Sequence, residues 1–242
     1  METWLTYSPQ DFLMFSERVY WRLFELHNKA LWPAQIPALL AGLAVPFLLV
    51  WQASRSGAWC GRVLGIVLAT AWVLAGLGFL PSYATVNLAA GNMIPVFLAQ
   101  AVLLAALGFL AGALEPRLRW PGRWIAVGLC LYGLVVVPLA AVFADRTAGA
   151  EIFALMPDPT AIVTLGAVLA AGRRWPTLLL AIVPAVWCVA SWATLAVLGA
   201  TQAWIFAPVA LAVLLILALP RESTGRAARR PEADAPSRRR SD

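Results

Sequence analysis

The chain has 242 residues, of which 62% are hydrophobic and 12% charged, with 18 basic residues against 12 acidic ones and a formal net charge of +6. That charged share is about half of what a soluble domain carries, which argues against a water-solvated globule. The basic excess does not imply nucleic acid either, because 7 of the 18 basic residues fall in the last 22 and most of the others flank apolar stretches.

The first 33 residues carry charges throughout and have no basic run ahead of an apolar one, so they do not read as a signal peptide. Ser8, Pro9 and Asp11 form a helix start, with a capping hydroxyl, a proline in the first turn and an acid near the positive end of the dipole. Phe12, Phe15, Val19, Leu23, Leu26 and Ala30 recur at helical spacing, and Arg18, Arg22, Glu25 and Lys29 form a second stripe. The pattern predicts an amphipathic helix over about residues 9–30, lying on the membrane surface or across the mouth of a bundle. Anchor and lid are both open readings of it.

Beyond this segment the charges thin out. No residue between Arg62 and Glu115 is charged, and none between Arg174 and Arg221, which leaves blanks of 52 and 46 residues. A helix needs only about 20 apolar residues to cross a bilayer. Cut at their turn signals, these and two shorter blanks predict seven spans, at roughly 34–52, 63–80, 93–114, 124–144, 152–171, 177–198 and 202–219. Each must be helical, because lipid offers no partner for open backbone groups. Arginine placement sets the direction. Arg55, Arg62, Arg117, Arg119, Arg123, Arg173, Arg174 and the tail put 14 basic residues on one side, against 4 on the other. The expected fold is therefore an all-α, polytopic bundle with its N-terminus outside and its C-terminus in the cytoplasm, in a bacterial inner membrane. Trp51, Trp59, Trp120, Trp124, Trp175, Trp32 and Trp204 fall at span edges as headgroup anchors, whereas Trp72, Trp187 and Trp192 sit deeper, as packing or as pocket walls.

Three parts follow: residues 1–33 as an interfacial helix, 34–220 as the transmembrane domain, and 221–242 as a disordered basic tail. In the tail, Arg229, Arg230, Arg238, Arg239 and Arg240 are candidates for anionic lipid headgroups, with enforcement of topology as the simpler role.

Chemistry is expected at the fifth span. Between Asp158 and Arg173 lie only 14 uncharged residues, about 21 Å of helix against the roughly 30 Å a crossing requires. Pro157, Asp158 and Pro159 then stand inside or at the edge of the apolar layer, where two prolines break any helix. Thr160 and Thr164 follow one turn apart. These five residues resemble the broken-helix substrate sites of transporters. The alternative is structural, with Asp158 as a helix cap and Pro159 as the first helical residue. Cys60, Cys130 and Cys188 are isolated, with no metal or disulfide spacing. The single lysine, Lys29, and single histidine, His27, precede the spans, so no Schiff-base lysine or embedded metal cluster is available. No cofactor, metal or catalysis is expected. The leading expectation is a small permease or channel-like protein; an accessory subunit or scaffold is the main rival, and a membrane enzyme the third.

Two stretches, Asn28-Lys29-Ala30-Leu31-Trp32-Pro33-Ala34-Gln35 and Pro157-Asp158-Pro159-Thr160-Ala161-Ile162-Val163-Thr164-Leu165-Gly166, resemble motifs of a bacterial multi-span family catalogued as domain of unknown function 6064. Here His27 stands where that family has an aromatic residue, and Asp158 where it has a cysteine. The resemblance covers most of residues 10–220 and implies an integral membrane protein, some members being loosely labelled permeases.

Overall fold

The computed structural model describes residues 15–51, 59–116, 122–171 and 174–218. They are helical almost throughout: α1 (Glu17–Leu31), α2 (Gln35–Trp51), α3 (Trp59–Ala84), α4 (Leu88–Leu110), α5 (Gly122–Phe143), α6 (Pro157–Ala170), α7 (Arg174–Val197) and α8 (Ala207–Ala218), the last preceded by a 3-10 segment, Thr201–Phe206. The extended pairing among the described residues is a single bridge, Pro116 to Ala171.

Each of the seven predicted apolar runs contains a helix, but they differ in reach, and the fifth, predicted over 152–171, is helical only over Pro157–Ala170. Four (α3, α4, α5 and Trp175–Val197 of α7) are long and apolar enough to cross a membrane. A fifth crossing results if α1 and α2, which meet at a bend of 101°, count as one broken span. α2 alone has 17 residues and α6 has 14, about 25 Å and 21 Å at the helical rise.

α6 is short because it does not face the exterior. Every residue from Glu151 to Ala171 is buried, and α6 packs against α2, α3, α5, α7 and α8. Apart from Asp158, Thr160 and Thr164 its sequence is apolar on all sides, as a helix enclosed by protein or by lipid can be. Around it, small residues allow close contact. Gly61 and Gly65 lie one turn apart on α3, and a Cβ at Gly65 would stand 2.5 Å from the backbone N of Phe109. Backbones approach this closely only where no side chain intervenes. α3, α4 and α5 each contain a widened π segment, Ala75–Phe79, Leu104–Leu110 and Tyr132–Val136. Pro81 and Pro138 follow two of these by two residues, where the wider turn accommodates the proline ring and its missing donor.

α1 departs from expectation in two respects. It begins at Glu17, capped by Ser16, whose extended backbone (φ −85°, ψ 162°) lets the side chain accept from Val19 N at 3.4 Å. The predicted start at Ser8 and Pro9 lies outside the described residues, as do Arg55, Arg117, Arg119, Arg173 and the whole tail from 221 to 242. The buried stripe is also a different one. Tyr20, Trp21, Phe24 and His27 face the bundle, while Val19 and Leu26 are exposed. Phe15 and Leu23 of the predicted stripe pack against the core from its margin, while the aromatic rings of Tyr20, Trp21 and Phe24 are buried deepest.

Candidate functional site

The site forms where α6 begins. Pro157, Asp158 and Pro159 are its first three residues, and the extended residue before them, Met156, is the N-cap. Helical N–H groups in the first turn have no intrahelical partner, so prolines there cost nothing in hydrogen bonds. The two prolines thus start the helix rather than breaking one. Asp158 is not the cap, and its carboxylate is free to face α7.

The segment leading into α6 is held by its own backbone and by Thr160. Leu155 N and Met156 N both donate to Ile152 O, and Ala154 takes a left-handed conformation (φ 65°). Thr160 Oγ1 accepts from Ala154 N at 2.9 Å and donates to Met156 O at 2.6 Å. Thr164 Oγ1 donates to Thr160 O at 2.7 Å and accepts from Trp72 Nε1 at 2.9 Å. Both threonines therefore stitch the helix to its surroundings, away from the carboxylate. Of the five residues the sequence singles out, Asp158 and Pro157 line a cavity and the two threonines do not.

Asp158 is buried, at 4% exposure. Its Oδ1 accepts from Trp187 Nε1 at 2.6 Å and its Oδ2 from Ser191 Oγ at 2.7 Å, two donors spaced one turn apart on α7. Short bonds of this kind offset part of the cost of burying a carboxylate. Glu151 stands close enough to Asp158 for the two charges to interact. It is also buried, and its Oε2 finds no donor among the described residues. Burial first, then the negative charge of Asp158, pushes the Glu151 carboxyl well above the usual carboxylate range, with Arg146 pulling the other way. Burial and the neighbouring carboxylate thus favour the neutral form of Glu151 over a second negative charge.

A cavity of about 200 Å³ opens beside Asp158. Tyr20 and Phe24 of α1, Phe79 and Tyr83 of α3, and Trp187 of α7 supply its aromatic walls, with Asn87, Ser191 and Thr194 at polar positions. Tyr20 meets Tyr83 edge-on at 5.8 Å, and Phe24 lies 4.8 Å from Phe79. α1 thus covers one side of the cavity. Behind it, the Arg146 guanidinium stacks 3.6 Å over Trp21, whose Nε1 donates to Glu17.

The two familiar motifs meet here. Asn28 Nδ2 donates to Ala148 O at 2.9 Å and Ala150 O at 2.8 Å, clamping the loop that carries Glu151, and Gln35 Nε2 donates to Asn28 O at 2.7 Å. One motif fixes Glu151 and the other carries Asp158.

Glu151 and Ser191 are not singled out by the sequence, and Trp187 stands there only as a deep tryptophan, unconnected to Asp158. The spacing of four between Trp187 and Ser191 on one helix was the available signal, pointing two donors to one side. Trp72 is core packing, and Trp192 is exposed on the bundle's outer face. Among the described residues no group of three or more His, Cys, Asp or Glu is placed to hold a metal.

No curated protein and no solved structure is significantly similar to the chain. The profile of the family of unknown function DUF6064 matches residues 17–229. With nearly its whole helical body inside that match, the chain belongs to the DUF6064 family.

Proposed function

We propose that this chain is a small permease or channel-like protein of a bacterial inner membrane, whose solute site is the aromatic cavity at Asp158. The observation that carries the reading is a buried carboxylate, held by Trp187 and Ser191, on the wall of a cavity of about 200 Å³ inside an apolar helical bundle. An ionisable group at such a position is costly and is kept where it serves a pathway. The distribution of arginines supports seven crossings, with the N-terminus and α1 outside and the tail in the cytoplasm. α6 takes part as a shielded central element, short because neighbouring helices cover it. α1 then acts as an external lid, since Tyr20 and Phe24 form part of the cavity wall.

A scaffold has no use for an open cavity beside a buried acid, and a packed bundle around Asp158 would have suited that rival better. Osmotic swelling of proteoliposomes, followed by stopped-flow light scattering with glycerol, urea and propylammonium chloride, tests the reading. Faster swelling than empty vesicles for at least one solute, abolished by Asp158→Asn, is expected. Rates equal to empty vesicles for all three overturn it. A reporter fused behind Asp242 is expected to be active in the cytoplasm, and periplasmic activity would refute the orientation.

A further inference from the structure

We infer that the cavity takes a small monovalent organic cation, an alkylammonium, with Asp158 as its counter-ion and the rings of Tyr20, Phe24 and Trp187 around its carbon body. The inference rests on reading the cavity as a solute site and names the class of solute. Three observations carry it.

The first is charge. Asp158 stands on the cavity wall with two neutral donors, Trp187 Nε1 and Ser191 Oγ, and no basic residue is in that lining, so its carboxylate brings a single negative charge to the cavity. One ammonium neutralises it. A divalent ion would leave a charge in excess, and an anion would meet the carboxylate directly.

The second is the wall. Five aromatic rings line the space, and a cation lying over ring faces is attracted by their quadrupoles, more strongly where water is excluded. Each oxygen of Asp158 keeps a lone pair beyond the one engaged by Trp187 or Ser191, enough for an ammonium N–H.

The third is size and donor chemistry. A bare metal ion needs a close shell of several oxygens, whereas this cavity, at about 200 Å³, is far larger than an ion and is walled mostly by carbon. A short alkyl chain fills what an ion leaves empty.

Isothermal titration calorimetry on the full-length protein in nanodiscs tests the claim with three probes of matched size: propylammonium, 1-propanol and propionate. Saturable binding of propylammonium alone is expected, weakened by about tenfold or more in Asp158→Asn, the loss of a charge-assisted contact. Equal binding of 1-propanol or propionate, no binding of propylammonium to the wild type, or an unchanged affinity in Asp158→Asn overturns it. If Asp158→Asn does not stay monodisperse, Phe24→Leu replaces it; weaker propylammonium binding at an unchanged melting temperature is expected, and unaltered affinity counts against the site. Binding without flux would contradict the permease reading and leave the cation site standing. Flux of glycerol indifferent to propylammonium would contradict the cation site alone.

Discussion

Asp158 offers the sharpest contrast between two substitutions at one position. Its carboxylate satisfies Trp187 Nε1 and Ser191 Oγ at 2.6 and 2.7 Å. Asp158→Ala strips both donors of their acceptor, and each unsatisfied buried donor costs about 1–3 kcal/mol. The sum is about 2–6 kcal/mol, with the lower half applying because Trp187 is only partly buried. Asp158→Asn behaves differently. Its amide oxygen can face Trp187, an obligate donor, while its NH₂ faces Ser191, whose hydroxyl accepts as readily as it donates. Only the charge assistance is lost, about 1 kcal/mol. Thermal unfolding in detergent, followed by circular dichroism, should therefore rank wild type above Asn and Asn well above Ala. An Asn variant as unstable as the Ala variant, or a harmless Ala, would refute the hydrogen-bond assignment at this site.

Other substitutions probe the frame around it. Gly65→Ala places a methyl against backbone atoms of Gly108 and Phe109, which cannot swing aside, so a loss of about 1–3 kcal/mol is expected; an unchanged melting temperature would contradict the α3–α4 approach. Asn28→Ala removes two bonds to the 148 and 150 carbonyls, costing about 1–2 kcal/mol and raising amide exchange over residues 146–151; unaltered exchange there speaks against the clamp. Glu151 carries a pH signature. Its folded value is raised, so the stability supplied by its neutral form is complete below about 4.5 and is lost as pH rises through the raised value. The wild-type melting temperature should fall across that rise, and Glu151→Gln, which keeps a donor toward Asp158 without titrating, should flatten the curve and be the more stable protein at the alkaline end. Parallel curves for the two proteins would refute the proton assignment.

What could be read from the sequence was what depends on local pattern and on the solvent. Long uncharged runs required helices, and each predicted run contains one. The fifth run showed itself as anomalous because Asp158 and two prolines interrupt its apolar length. Its location in the middle of the bundle was not legible, since an all-round apolar helix looks alike whether lipid or protein surrounds it. The partners of Asp158 were hidden for a related reason. Trp187 and Ser191 lie 29 and 33 residues away, and only packing of α6 on α7 brings them to the carboxylate. Thr160 and Thr164 misled because shared helical spacing implies a shared face, yet that face looks toward Ala154 and Trp72. On α1, the predicted stripe is split, with Leu23 packed against the core and Val19 and Leu26 exposed, because the aromatic rings beside it take the deepest positions.

Charge movement gives the most direct test of a cation pathway through Asp158. Proteoliposomes adsorbed on a solid-supported membrane and exposed to a propylammonium jump, against a sodium jump of equal ionic strength, should give a saturable transient current in the wild type and none with Asp158→Asn. A wild-type current indistinguishable from protein-free vesicles, or one that survives in Asp158→Asn, would contradict the account.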